Sequence, residues 1–440
     1  MAGIPKGTIT VAYTDLSSND KPEDWFYGGP SVVSLFTRRL KPCSWYTQIT
    51  VNDANKGSAE LPIFNFSKTA DFLRGGWTES TFPKVSVKAA DNGRLKYRIA
   101  LTWNAAHHVW ASASLKFNDL AIATYDSVAL DMISQYRVSA AKWALYQKMI
   151  GNTAELQEWN SVLPKTVLKL PSPFYYAQDS SQALPICLAT LNDMKEEYVA
   201  QTDLRNLIRV QINDAALDEQ PEWRDAKVGE VNLNEILEVE GGKGLEMSDS
   251  RHWSKYILIT DDERESHEKL VRDVIIEQVQ STNAKKGGVG EHRHEFRFAG
   301  PVKAVFFGMI NKTSDEYNNR SNYSDDYRSG AKGSDPIAKI SYSYDNTERF
   351  ENVDGSWFDY ETFLHGERSI SEVGYHAIFY NQHVNHIDAT GSSNFSNLVT
   401  SFDLEVEEKT AQENKYTFAA RATTMHRLRF KEQGGGFPRF

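Results

Sequence analysis

Apolar and polar residues alternate with a period of two in segments spread along the whole chain. Ile9, Val11 and Tyr13 alternate with Thr8, Thr10, Ala12 and Thr14, and Ala113, Leu115 and Phe117 with Ser114, Lys116 and Asn118. Ile340, Tyr342 and Tyr344 stand opposite Ser341, Ser343 and Asp345, and Phe402, Leu404 and Val406 opposite Asp403, Glu405 and Glu407. Successive side chains of a strand point to opposite faces, so the pattern predicts strands with one face on a core and one in water. Helical signals are few. Ser139 is placed to cap Ala140–Ile150, with Trp143, Gln147 and Ile150 at helical spacing and Gly151 where a left-handed residue would end the helix. Asp126 to Tyr136 sets Ala129, Met132, Ile133 and Tyr136 on one face. Both are expected as short helices inserted into a loop of a β-domain. The charged run from Asp261 to Lys269 reads as a solvated turn or short helix between strands at Tyr256–Thr260 and Val274–Gln280.

A chain of 440 residues is longer than one core usually serves, which favours two domains of roughly 200 residues each. A composition break from Asp214 to Arg224, rich in Asp, Glu and Gln around Pro221, marks the expected boundary. The organisation predicted is an N-terminal arm at 1–24, a first domain at 25–213, a linker at 214–224, a second domain at 225–432 and a tail at 433–440. Asn311 to Pro336 has almost no aliphatic residues and exceeds the ~12–15 residues of ordinary structureless connections. It is expected to be an outward-projecting, dispensable loop, open to cleavage at Lys312, Arg320, Arg328 and Lys332.

Aromatic residues make up 12% of the chain, which suits pleated, half-buried surfaces and strengthens the all-β reading. The net charge of −10 disfavours direct nucleic-acid contact, because phosphate binding needs a concentrated basic surface. The local basic run from Arg421 to Lys431, with His426, Arg427 and Arg429, reads as a solvated strand face. Cys43 and Cys187 make neither a disulfide framework nor a metal pattern, and point to reduced, cytosolic folding with Cys43 in a core. The first residues lack a secretion signal, and no apolar run reaches the ~18–20 residues that span a bilayer. Secretion by that route and membrane anchoring are not expected.

Candidate chemistry is sparse. Gly241-Gly242-Lys243-Gly244 lacks the spacing and the Ser or Thr of a phosphate loop, and reads as a turn. His292 and His294 share a strand face and could hold a metal, but no further ligands are in view, since His383 and His386 do not fit the pairing; exposed strand histidines are the plainer reading. Neighbouring His107 and His108 would face opposite sides of a strand and could not chelate together. No nucleophile elbow or carboxylate pair is present, so no catalytic residue, cofactor site or metal ligand is assigned. Glycosylation sequons begin at Asn65, Asn311, Asn319, Asn322 and Asn394. A β-sandwich carbohydrate-binding protein or hydrolase would share the fold class and the aromatic richness, but would want a secretion signal and a site.

Several segments resemble the major capsid proteins of nucleocytoplasmic large DNA viruses, in particular the iridovirus-like members. They include Tyr27-Gly28-Gly29 through Cys43-Ser44-Trp45-Tyr46, Phe117-Asn118-Asp119-Leu120, Met149-Ile150-Gly151-Asn152, and Leu170-Pro171-Ser172-Pro173-Phe174-Tyr175-Tyr176 through Ala183-Leu184-Pro185. The stretch Tyr256 to Gln280 resembles a family signature in which a strand enters an acidic, Arg-containing turn and leaves through Ile-Glu-Gln-Val-Gln. Pro301 to Phe307 and the Gly391-Ser392-Ser393-Asn394-Phe395-Ser396 turn extend the resemblance over residues 25 to 405. Asp388-Ala389-Thr390-Gly391 and Ser266-His267 depart from common family residues. The resemblance implies two consecutive eight-stranded jelly rolls with short helices in their loops, forming a homotrimer of six-sided outline. It further implies tiling of that trimer into the icosahedral capsid of a virion assembled in the host cytoplasm. Neighbouring capsomers and minor capsid proteins would be its partners, an internal membrane would lie beneath and be met only indirectly, and no turnover would be involved.

Overall fold

The computed structural model describes residues 46–53, 63–88, 95–178, 182–189, 193–201, 203–215, 220–242, 244–261, 264–265, 272–282, 285–328, 333–344, 347–370, 372–385, 390–395, 399–409, 413–430 and 436–439. The expected strand around Ile9–Tyr13, and Cys43, lie outside these residues. Sixteen of the described strands form two sets of eight. In the first set β1 is Tyr46–Asp53, β2 Ile63–Asn65, β3 Phe72–Phe82, β4 Trp110–Phe117, β5 Leu120–Asp126, β6 Leu184–Pro185, β7 Met194–Ala200 and β8 Ser248–Leu258. In the second set β9 is Arg272–Ser281, β10 Gly290–Phe296, β11 Pro301–Asn311, β12 Ile337–Tyr344, β13 Thr347–Val353, β14 His376–Phe379, β15 Thr400–Val406 and β16 Tyr416–Phe430.

The sheet orders are β1-β8-β3-β6 and β2-β7-β4-β5 in the first set, and β9-β16-β11-β14 and β10-β15-β12-β13 in the second. The second pair of orders repeats the first strand for strand, and all the pairings are antiparallel. This is the jelly-roll topology, present twice, as the sequence resemblance implied. In the first roll Phe64 of β2 meets Tyr198 of β7 edge-on at 5.8 Å and His252 of the facing sheet at 5.2 Å. In the second, Phe402 of β15 packs on Phe307 of β11 at 5.2 Å and on Phe418 of β16 at 5.3 Å. Aromatic rings from both sheets fill the cores, where the high aromatic content is used.

Each roll inserts an 11-residue helix directly after its fifth strand: α1, Ser127–Arg137, and α3, Gly355–His365. Both begin on an aspartate cap, Asp126 accepting from the Ala129 N–H and Asp354 from the Trp357 N–H. Ala129, Met132, Ile133 and Tyr136 of α1 are buried together, as their spacing predicted. Between these helices in sequence, α2 spans Ala140–Ile150 and ends on Gly151 at φ 94°, the left-handed stop expected there.

Sheet membership changes between Leu258 and Arg272, not at 214–224. Ser248–Leu258, expected in the second domain, pairs with Tyr46–Asp53 and Phe72–Phe82 of the first roll. The polar run at 214–224 lies within the connection from β7 to β8. There the Asn213 side chain accepts from the Ala215 and Glu222 N–H groups, and Arg224 pairs with Asp214. Composition alone cannot separate such a turn from a linker. The connections after β3 and β7 meet in a small sheet of Tyr97–Leu101, Ile208–Asn213 and Trp223–Asp225. At the other end, Gly436–Arg439, expected to be a tail, pairs with Arg427–Phe430 of β16.

Candidate functional site

The most elaborate constellation in the molecule is the seam between the rolls. Strand β11 is buried on both faces, so its apolar run is nearly continuous rather than alternating. Val305, Phe307 and Met309 enter the second core, whereas Ala304 and Phe306 join a cluster with Leu115, Tyr125 and Tyr136 of the first roll. Tyr136 of α1 packs tilted against Phe306 and edge-on against Phe379, with ring centroids 5.2 and 5.7 Å apart. Met132, one turn earlier, lies over Gly308, where a Cβ would come within 3.6 Å of its methyl group.

Three buried polar groups stitch this contact. Glu277 of β9 binds Arg137 of α1 and Lys303 of β11, and accepts from Gln178 at 3.1 Å. Burial would raise the Glu277 carboxyl, but Arg137 and Lys303 outweigh it and hold the group at about 2. Arg421 of β16 reaches across to Asp126, its Nε lying 3.1 Å from each carboxylate oxygen. Asp131 of α1 accepts from Asn104 at 3.0 Å and from Ser321 at 2.6 Å, and its Oδ1 lies 2.6 Å from His107 Nδ1. Because Ser321 gives its hydroxyl proton to Asp131, it accepts from His108 Nε2 at 2.7 Å, which places the proton of the neutral ring on that nitrogen. Burial lowers His108 to about 4, the largest effect there; Asp131 opposes it and Arg320 adds to it.

Several sequence expectations are corrected here. His107 and His108 sit on a short helix, Ala105–Val109, and both belong to the Asp131 network. Arg421 is buried and His426 and Arg427 are half-buried, so this part of the basic run is not a solvated face. The described part of Asn311 to Pro336 is no projecting loop: Asn311, Ser314, Asn319, Asn322, Tyr323 and Asp325 are all buried. Asn318 donates to the Arg205 and Ile208 carbonyls at 3.1 and 2.9 Å, and the Arg320 N–H donates to Thr102 Oγ1 at 2.9 Å. The Asn318 amide and the Arg320 backbone tie this wedge to the first roll, while the Asn311, Asn319 and Asn322 amides brace it internally where aliphatic residues would otherwise pack. Sequons at Asn311, Asn319 and Asn322 are therefore closed in the folded chain, while Asn65 and Asn394 are exposed.

His292 and His294 do share a face, with rings 6.0 Å apart, but His294 is buried and stacks on Phe418 at 5.0 Å. Among the described residues no group of three His, Cys, Asp or Glu is placed to hold a metal. The Gly242 N–H donates to the Val239 carbonyl at 3.1 Å, closing the turn expected at Gly241. Cys187 is half-buried beside Phe72 and Ile257. The seam residues Arg137, Glu277 and Lys303 went unpredicted. Their signal was a charge inside an apolar strand, Lys303 after Val302 and Glu277 after Ile276, which on a doubly buried strand demands a partner.

Two family models match the chain in tandem: major capsid protein N-terminus over residues 34–257, and large eukaryotic DNA virus major capsid protein over residues 263–432. The major capsid protein of Wiseana iridescent virus is 29% identical over 427 residues, covering 90% of this chain and 83% of that protein. That of Frog virus 3 is 26% identical over 456 residues, covering 96% and 91%. Among solved structures, the PBCV-1 virus capsid subunit shares the fold with a TM-score of 0.68 at 14% identity, covering 92% of this chain and 98% of that one. The Faustovirus major capsid protein does so with a TM-score of 0.71 at 8% identity, covering 96% and 97%. This is a family of structural proteins, which sets aside the hydrolase and carbohydrate-binding alternatives. With a jelly roll under each of the two matches, the chain belongs to the major capsid proteins of large eukaryotic DNA viruses.

Proposed function

We propose that the chain works as a homotrimer of six-sided outline that tiles, with neighbouring capsomers and minor capsid proteins, into the icosahedral shell of a virion assembled in the host cytoplasm. The observation that carries this is the repeated sheet order, β1-β8-β3-β6 and β9-β16-β11-β14, in two rolls locked side by side. Three such chains supply six nearly equivalent units around one axis. A head-to-tail contact that repeats around three copies closes a ring and leaves no open end. The net charge of −10 fits a shell that does not touch nucleic acid directly, and any internal membrane is met indirectly. We place the boundary between the rolls at 259–271, where sheet membership changes and one family match gives way to the other. Light scattering of the purified full chain tests the trimer. About three times the 49.8 kDa chain mass is expected, and a stable monomer at all concentrations overturns the reading.

A further inference from the structure

The seam inside the chain is built from a helix and a sheet, and each roll owns one of each. Among the described residues, only one of the two possible helix–sheet contacts is made within the chain. In the contact that is made, α1 of the first roll lies on the outer face of the β9-β16-β11-β14 sheet of the second. Its seam residues Met132 and Tyr136 are the sixth and tenth after the capping Asp126. Counting in the same way from Asp354, the cap of the topologically equivalent α3, gives Tyr360 and Leu364. These two are 73% and 59% exposed, and Phe363 beside them is 78% exposed. They are unlike a solvated helix face.

The complementary half is the outer face of the β1-β8-β3-β6 sheet. Thr78 and His252 point into the first core and bond each other at 3.0 Å. Their neighbours Trp77 and Trp253 therefore point away from it. These two indoles are register partners, half-buried, and stacked with ring centroids 5.8 Å apart. Arg251 and Lys255 lie two residues to either side of Trp253 on the same face, and α3 carries Asp359 and Glu361 beside its aromatic residues. An apolar helix face opposite an apolar sheet face repeats the contact already made inside the chain, with rim charges of opposite sign whose order is reversed relative to Arg137 and Glu277.

We infer that the Tyr360, Phe363 and Leu364 face of α3 docks on the Trp77–Trp253 face of a second copy of this chain, repeating between copies the contact that α1 makes within one. The inference rests on the trimer reading and assigns the surfaces that close it. An apolar centre of large aromatic side chains with a charged rim is the composition that concentrates binding energy in an interface.

The test is sedimentation velocity on three full-length proteins: wild type, the triple variant Tyr360→Ser/Phe363→Ser/Leu364→Ser, and Trp253→Glu. The wild type is expected as a trimer, and both variants as folded monomers at the same concentration, association being weakened roughly a hundredfold or more. Near-UV circular dichroism checks the fold of each. Should the triple variant misfold, Phe363→Ser alone, on the most exposed of the three side chains, is measured in its place. If the wild type is trimeric and either surface variant stays trimeric, the docking assignment is overturned while the trimer reading stands. If the wild type is monomeric throughout, both fall together.

Discussion

Glu277 is a buried carboxylate held between two buried cations, Arg137 and Lys303. Replacing it by alanine leaves both cations without their counter-charge, which is expected to cost about 3–5 kcal/mol in urea unfolding. A loss below about 1 kcal/mol would show that water enters the seam and screens the charges. His108 offers a pH-dependent counterpart. Its ring is held at about 4 in the folded chain against an ordinary 6.5, so the folded state takes up its proton less readily than the unfolded one. Its contribution is thus complete above pH 6.5 and is lost as pH falls towards 4, amounting to about 3 kcal/mol over that window. The groups facing it are Asp131, Arg320, His107 and Asp315. Glu277, lowered to about 2, and Asp131, also lowered, add their losses only further into acid. His108→Gln keeps a donor for Ser321 without the titration. The urea midpoint of that variant should therefore vary less between pH 6.5 and 4 than that of the wild type, and an unchanged slope would remove His108 from the account. None of these roles was legible from adjacent histidines in the sequence, because the pairing that defines them runs from Asp131 of the first roll to Ser321 of the second.

Strands and helices were far more legible than the loops between them. Alternation at Ala113–Phe117, Ile340–Tyr344 and Phe402–Val406 falls on β4, β12 and β15, since one face of each meets a core. The α1 face was legible for the same reason. The segment after Asn311 was not. A shortage of aliphatic side chains predicts poor burial only where backbone groups have no other partner, and here asparagine amides supply one. Replacing Thr313–Gly333 by a short Gly/Ser turn should therefore expose Tyr375 and the Asp131 network, and cost on the order of 3 kcal/mol or more. Trypsin should spare Arg320 in the native chain, whose N–H and Nε are bonded to Thr102 and Asn206. A soluble deletion variant as stable as the parent, or rapid cleavage after Arg320, would restore the projecting-loop picture.

The two rolls repeat one topology, yet they do not have two independent interiors. The cluster that fills the first roll continues through Ala304, Phe306, Phe379, Ala419 and Leu428 of the second, while the second roll keeps a separate cluster around Phe307, Phe402 and Phe418. This is why a boundary sought in composition at 214–224 missed the change of sheet membership after Leu258. Polar stretches mark water-exposed chain, whereas the rolls meet through buried surface on β9, β11 and β16. The shared cluster has a thermodynamic consequence. Unfolding the second roll alone would bare Tyr136, Met132 and Tyr125 of the first and strip Arg137 of Glu277, so an intermediate with only the first roll intact carries a large exposed apolar face and has lost its buried ion pair. The full chain is expected to melt in one calorimetric transition. Phe306→Ala, which removes a ring from the seam and from no other core, should cost about 3–5 kcal/mol and move that transition as a whole to lower temperature. Phe402→Ala, at the centre of the second cluster, should move the same single transition despite lying outside the seam. Two resolved transitions in the wild type, or a Phe402→Ala variant in which one roll melts early and the other at its original temperature, would mean that the rolls are energetically separate and that the seam only holds them in place.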